Sequence, residues 1–474
     1  MKEKLVPSAW LEKEGRRLDC GPYVSGAIEA RVLLGQLPVK KTPLQALTAG
    51  HDGGIYNGPQ FVRRYVDGEQ HGVRFLTSSS MLLADLRLAD LLKRSDAHSS
   101  RLAHLRLSPS MILISCSGTI GRMSFARADM DGMWSSQDIL KIVAAPKRVK
   151  PGFLYAYLSS RFGVPLVTGG TYGAIIQHLE PQHIADLPVP EAPADIQDKA
   201  HALVVRAADA RTTAIGLIIA AEKRVAEAWG LGPQSADPAR KAGGPDILLT
   251  QASALAGRFD AHFHSSPARA ADEALGRLAH SIEVKRLGDV VESVFETPRF
   301  GRIPVEDPKY GVPFMSISDL ARIDPIPSGL ISKRQAVAMK AIVEDGWLIL
   351  PRVGQLQGLF GHVVAVPPHL RGLGVSDNNI RVVPRSKPDS GYLFAALSTK
   401  ISYWQIVRRA CGTSIPYLDA ARVSDVPVPW VGSDERAKIG ALVNEAMALR
   451  SRARHDEREA VVLVERWIEG MGGA

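Results

Sequence analysis

Residues able to read the edges of base pairs occur in both halves of this 474-residue chain. Arginine and lysine suit guanine, and asparagine and glutamine suit adenine. In the first half the candidates are Arg63, Arg64, Tyr65, Arg74, Arg122, Tyr172, Gln177 and His178. In the second half they are Arg299, Arg302, Lys309, Tyr310, Arg352, Gln355, Gln357, Asn378, Asn379 and Tyr417. Catalytic spacings are absent: there is no GxxxxGK[ST] phosphate loop, no GxGxxG, no GxSxG and no HExxH. Nor is there an Asn-Pro-Pro-aromatic tetrapeptide of the kind amino-methyltransferases use to hold a base. His262 and His264 alternate as on a strand and could join Asp260 on a metal. The matching stretch of the first half has Asp19, Cys20, Pro22 and Tyr23 instead, so DAHFH reads as a structural opening segment. We assign no metal and no catalytic residue. Short glycine loops at Gly118–Gly121 and Gly169–Gly173 could cradle phosphates, although most such loops are only turns.

Composition bounds the rest. The chain is 45% apolar and 23% charged, enough for more than one core and too little charge for bulk disorder. Fifty-eight basic against 49 acidic residues leave a net +9, which suits a polyanion, although charge alone does not decide the matter. Three scattered cysteines, Cys20, Cys116 and Cys411, form no CxxC pair and suit a reducing compartment. The charged start MKEKLVPSAWLEKEG has no apolar leader core. The longest helix-like apolar run, 212–221, is half of the roughly 20 residues a membrane span needs. A cytoplasmic protein without a membrane partner is expected.

The elements that must position these residues come in duplicate. GFLYAYLSS from Gly152 matches GYLFAALST from Gly391, and LPVP at 187–190 matches VPVP at 426–429. Ala202–Val204 matches Ala441–Val443, and GVRFL from Gly72 matches GVPFM from Gly311; all four pairs are 239 residues apart. RLD at 17–19 and RFD at 258–260 are 241 apart, MILISCSG at 111 and WLILPRVG at 347 are 236 apart, and Trp229 and Trp467 are 238 apart. A period this long is not a solenoid; it is two copies of a whole unit. Each copy runs from strand-like stretches (111–115, 347–351) through a helix (151–162, 390–407), a glycine loop and a proline-bounded strand to a long helix.

The long helices carry heptad seams. In the first, Leu203, Leu217 and Val225 fall on a 3/4 repeat; in the second, Leu442, Leu449 and Leu463 do, with Asp456 the one polar seam position. About 33 residues make a helix of roughly 50 Å, and two matched helices in one chain suggest an antiparallel pair. The expected domains are 1–191, 192–230 (helix), 231–257 (Gly/Pro-rich linker), 258–431 and 432–470 (helix).

On GTIGRMSFA, SSQDILKIV, GFLYAYLSS, GGTYGAIIQHL, the LPVP strand, the long helix and the RLD/RFD openings, the chain resembles the specificity (S) subunit of type I restriction–modification systems. The loops GGTYGAII and CGTSIPYL, and helix starts without Glu-Gln, depart from that family's usual wording. The resemblance implies an α+β fold, with two pseudo-twofold-related target recognition domains joined by two long helices in an antiparallel coiled coil. It implies a non-catalytic subunit that binds double-stranded DNA, each half reading one part of a bipartite gapped target. The helices would act as a ruler of about 15 base pairs. Partner DNA methyltransferase (M) subunits would bring S-adenosylmethionine, and a motor-nuclease (R) subunit would bring ATP and Mg. Three other readings stay open: a recognition subunit of a different methylation-based defence system, a nuclease acting alone, and a protein-only scaffold.

Overall fold

The computed structural model describes residues 4–13, 21–118, 120–169, 178–231, 247, 249–255, 257–355, 358–412 and 415–472. They fall into two compact units, Met1–Thr212 with Arg452–Ala474, and Thr213–Ser451. Neither long helix is a body by itself; each is divided between the units.

Among the described residues the duplication is repeated in the order of the strands, with one strand more, Pro304–Val305, in the second unit. In the first unit, β1 is Lys41–Pro43, β2 Ile55–Tyr56, β3 Gly72–Leu76, β4 Leu91–Lys93, β5 Ile112–Ser115, β6 Met123–Phe125, β7 Trp134–Ser135, β8 Ile139–Ile142 and β9 Pro188–Pro190. They form a sheet β2-β8-β5-β6, a sheet β4-β3-β7 and a ribbon β1-β9. In the second unit, β10 is Val284–Arg286, β11 Val291–Glu296, β12 Pro304–Val305, β13 Gly311–Met315, β14 Gly329–Ser332, β15 Leu348–Pro351, β16 Val364–Ala365, β17 Gly374–Val375, β18 Asn379–Pro384 and β19 Pro427–Pro429. Their sheets are β11-β18-β15-β16, β12-β14-β13-β17 and β10-β19. In each unit one sheet holds a single parallel pair, β3 with β7 and β13 with β17. The proline-bounded strands pair antiparallel with the start of their own unit and so close it. Strands β5, β8 and β15 are buried at every residue, which is why they read as near-continuous apolar runs, broken in β8 by Lys141.

Helix α1 (Pro151–Leu158) and its counterpart α3 (Lys387–Leu397) lie under the central sheets. The sequence predicts one helix over 390–407; instead α3 stops and α4 (Lys400–Val407) begins afresh. Thr399 is the reason: its hydroxyl accepts from Ser402 N–H and caps the new helix.

The long helices are α2 (Ala194–Ala228) and α5 (Ser433–Gly472). In the first unit Ala200, Val204, Ala207 and Arg211 of α2 are buried, as are Ala453, Glu457, Ala460, Val464 and Ile468 of α5. In the second, Ala214, Ile218, Ala221, Val225, Ile439, Val443 and Ala446 are buried. Leu203 and Val225 are buried in this stripe. Leu217, Leu442, Leu449 and Leu463 are half-buried flankers, one to three residues off it. In each unit a segment of both helices packs on that unit's domain as well as on the other helix, so the buried stripe is wider and differently centred than a two-helix seam. Arg206 and Asp456 pair at 3.3 Å in the first unit, and Arg224 and Glu435 at 2.5 Å in the second.

The repeated glycine of GFLY and GYLF marks a close crossing. A Cβ on Gly391 would stand 2.5 Å from Gly440 O, and one on Gly152 would stand 2.8 Å from His201 Cα. A Gly→Ala change inside an exposed helix stabilises by about 1 kcal/mol. Here the sign should reverse: Gly391→Ala forces two helix backbones apart and should destabilise by about 1–3 kcal/mol, read from the urea midpoint. Among the described residues, no helix is long and apolar enough to cross a membrane.

Candidate nucleic-acid interface

A short pattern recurs at the main spacing: Phe61 and Arg63 stand 239 residues before Phe300 and Arg302, as Phe75 does before Phe314. Phe75 and Phe314 are fixed in the strands whose parallel partners lead into the loop before β8 or β18. In the first unit the rings of Phe61 and Phe75 meet edge-on, 5.9 Å apart. The Arg63 guanidinium lies 5.6 Å from the Phe75 ring, and its Nη2 donates to Asp138 Oδ2 at 2.7 Å. In the second unit Phe300 and Phe314 meet at 6.4 Å, and the Arg302 guanidinium lies 4.8 Å from Phe314. There Arg302 Nη2 stands 3.8 Å from Asp377 Oδ1. The same loop supplies both carboxylates from adjacent positions. Cys116 N donates to Asp138 O, and Arg352 N to Asn378 O, so Asn378 takes the register of Asp138.

In the second unit Arg299, Phe300, Gly301, Arg302, Asp377 and Asn378 line an open pocket of about 580 Å³. Three sequence candidates, Arg299, Arg302 and Asn378, are thus brought together. Tyr417 and Arg352 belong to the same corner: Tyr417 bridges to Val353, and Arg352 O accepts from Leu418 N at 2.7 Å. The Arg352 head is turned to Glu296 at 3.3 Å. Gln355, Lys309 and Tyr310 are exposed, with Lys309 Nζ 5.3 Å from the Tyr310 ring.

Asn379 does not belong in the set. It is fully buried, and its Nδ2 donates to Ser376 O and Oγ at 3.1 and 2.8 Å. Its amide holds the turn instead of facing solvent. In the first unit Arg64 pairs with Asp96, and Arg74 donates to Ala89 O and Glu69. These two arginines brace strands β3 and β4 and their flanks rather than join Arg63. Tyr65 is half-exposed, 6.3 Å from the Phe75 ring. Arg122 is half-buried and its N–H donates to Ser115 Oγ; His178 bridges to Ser117. Tyr172, Gln177 and Gln357 lie outside the described residues.

Sequence reasoning missed two buried cations behind these loops. Lys141 faces Tyr56 at 5.4 Å, and Arg381, at the same register, faces Phe295 at 6.0 Å. Arg381 donates to Asn379 O, Val375 O and Ser376 O, and so fixes the turn that carries Asp377 and Asn378. Lys141 donates to Ile139 O at 2.9 Å. Burial pulls the Lys141 pKa down to about 7 and that of Arg381 to about 10. A lone cation inside ILKIV and NIRVV was the available signal.

The DAHFH histidines are in turns, not on a strand. His262 Nε2 is 3.3 Å from Val407 O and His264 Nε2 2.8 Å from Arg258 O. Arg258 pairs with Asp260, and the Arg258 and Arg408 guanidiniums stand 4.8 and 4.0 Å from the Phe263 ring. Among the described residues no group of three His, Cys, Asp or Glu side chains could hold a metal. The glycine loops have a local explanation in part: Gly121 and Gly361 both have positive φ and sit hard against Thr168 and Val407.

No family model and no curated protein matches the sequence. Solved structures similar to this chain include the crystal structure of a type I restriction–modification S subunit from M. genitalium. Its TM-score is 0.33 and its identity 13%, covering 92% of this chain and 95% of that one. Two of the structure neighbours are type I specificity subunits. A second is the HsdS subunit of Thermoanaerobacter tengcongensis, with TM-score 0.27, 12% identity, and 91% and 94% coverage. A third comes from a structure on complex assembly and conformational transition of the type I R-M system, with TM-score 0.26, 12% identity, and 92% and 97% coverage.

Proposed function

We propose that this protein is a sequence-specific DNA-binding specificity subunit of a restriction–modification complex, with no catalytic step of its own. The observation that carries the reading is the recurrence of one Phe–Arg–Asp cluster in both units, with different neighbours in each. Shared scaffold with diverged rims is what two readers of unlike half-sites need. The duplex would be read as a bipartite gapped target, with α2 and α5 as an antiparallel coiled coil between the halves. Methyltransferase subunits docked on the helices would supply S-adenosylmethionine and the adenine chemistry; a motor-nuclease subunit would supply ATP hydrolysis with Mg.

The test is binding and methylation by the purified complex of this chain with its methyltransferase. It should protect two short DNA blocks separated by an unprotected gap. Six to ten phosphate contacts would cost about three orders of magnitude or more in affinity between 50 and 200 mM salt. A salt-insensitive complex, or a methylome unchanged when this gene is deleted, would sink the reading.

A further inference from the structure

The open pocket of the second unit combines a donor fork and an acceptor side by side. A G·C pair presents acceptor, acceptor, donor in a row across the major groove: guanine N7 and O6, then cytosine N4–H₂. An A·T pair presents acceptor, donor, acceptor. Arginine offers two parallel N–H groups, and aspartate only accepts. Adjacent Arg and Asp therefore match the G·C order, and meet a mismatch in the middle of A·T.

The geometry separates the second unit from the first. Arg63 is hydrogen-bonded to Asp138 at 2.7 Å, and its side chain is only 26% exposed. That pair is closed on itself, a brace. Arg302 stands 3.8 Å from Asp377, beyond hydrogen-bond reach, and its side chain is 51% exposed. Its guanidinium plane is steadied on the Phe314 ring at 4.8 Å. Asp377 reaches the pocket with a side chain only 12% exposed and is steadied from behind, because Arg381 ties down Val375 O and Ser376 O. Both groups line the same open pocket, with Arg299 and Asn378 beside them. A donor fork and an acceptor are held ready, with their mutual bond unmade.

We infer that Arg302 and Asp377 together read one G·C base pair, Arg302 on guanine O6 and N7 and Asp377 on the cytosine amino group. The inference rests on the DNA-binding reading above and assigns one base pair within one half-site. Arg299 and Asn378 flank that pair.

The experiment uses the full chain in complex with its methyltransferase, and duplexes carrying the cell's own methylation motif. Each base pair of the motif is replaced in turn and affinity measured. The wild type should lose about tenfold or more when one particular G·C pair becomes A·T. Arg302→Ala should bind those two duplexes within about twofold of each other, and still discriminate throughout the other half-site. Arg302→Lys keeps the charge, and with it a measurable affinity, but lacks the fork. It should discriminate at that pair less than the wild type, because an ammonium meets guanine O6 or N7 without the fork's paired geometry. Undiminished discrimination at every pair in either variant overturns the inference. So does a loss spread evenly over all duplexes and restored by lysine, which marks a phosphate contact. A wild-type complex with no base preference anywhere overturns the DNA-specificity reading itself, a different outcome from these.

Discussion

Glu457→Ala should lower the stability of the first unit by about 3–5 kcal/mol, the cost of stranding a buried cation. Glu457 is nearly enclosed, and its Oε1 accepts from Tyr155 Oη at 2.6 Å and Arg211 Nη1 at 3.0 Å. The second Arg211 nitrogen donates to the other carboxylate oxygen. Nearby Asp129 accepts from Arg127 Nε and Nη2 and from Thr212 Oγ1, each at 2.9 Å. Burial pushes the Glu457 carboxyl up, but the Arg211 guanidinium and the Tyr155 hydroxyl outweigh it and hold it below the usual carboxylate range. A depressed folded pKa contributes stability above the unfolded pKa, and that stability is lost as pH falls through the folded value. The wild type should therefore unfold in acid with a component that Glu457→Ala lacks. Urea midpoints measured from pH 7 to pH 3 check both statements; an alanine variant as stable as the wild type at pH 7 would refute the first.

The second unit supplies its own control. The 239-residue spacing puts Ile218 where Glu457 would be and Phe394 where Tyr155 would be. Ile218 is fully buried and Phe394 nearly so. One copy thus closes the same place with apolar atoms. Replacing the whole network, Tyr155→Phe with Arg211→Met and Glu457→Ile, should be neutral or stabilising even though the single change is costly.

What could be read from the sequence follows from what fixed each position. The duplication was legible at close crossings and fully buried strands, where few residues fit: Gly152 and Gly391, 112–115 and 348–351. The helix seam was legible as a period and in phase at its buried alanines, Ala207, Ala214, Ala446 and Ala453 among them, but one residue off at Leu217, Leu442, Asp456 and Leu463. A 3/4 count fixes the repeat, whereas the centre of the buried stripe depends on the domains packed against it, so Asp456 was read where Glu457 is buried. The candidate site was legible in residue type more than in place. Arg302 and Asn378 converge on one pocket, yet Asn379, one residue on, turns inward. Alternation along a strand decides that, and the start of β18 could not be located from composition. The Phe-x-Arg recurrence was present at the main spacing but too short to stand out alone.

Trp229→Ala is the second large effect, about 3–5 kcal/mol lost from the second unit. The ring is 1% exposed, within the core cluster that includes Tyr392, Leu393 and Ile439. Its Nε1 donates to Tyr392 Oη at 3.3 Å, and that hydroxyl donates in turn to Pro429 O of the closing ribbon. Truncation therefore opens a cavity and removes one member of a buried polar chain. Trp467, its partner on sequence likeness, is only half-buried, with its ring 6.4 Å from Phe153. The helix register instead matches Trp229 with Ile468, 239 residues on and fully buried. Trp467→Ala should then cost the first unit less than half of what Trp229→Ala costs the second, because less area leaves the core. Trp229→Phe should fall between, keeping most of the volume and losing the hydrogen bond. Equal losses for the two alanine variants, measured by calorimetry on the full chain, would put the tryptophans in equivalent places and overturn the 239-residue register of the long helices.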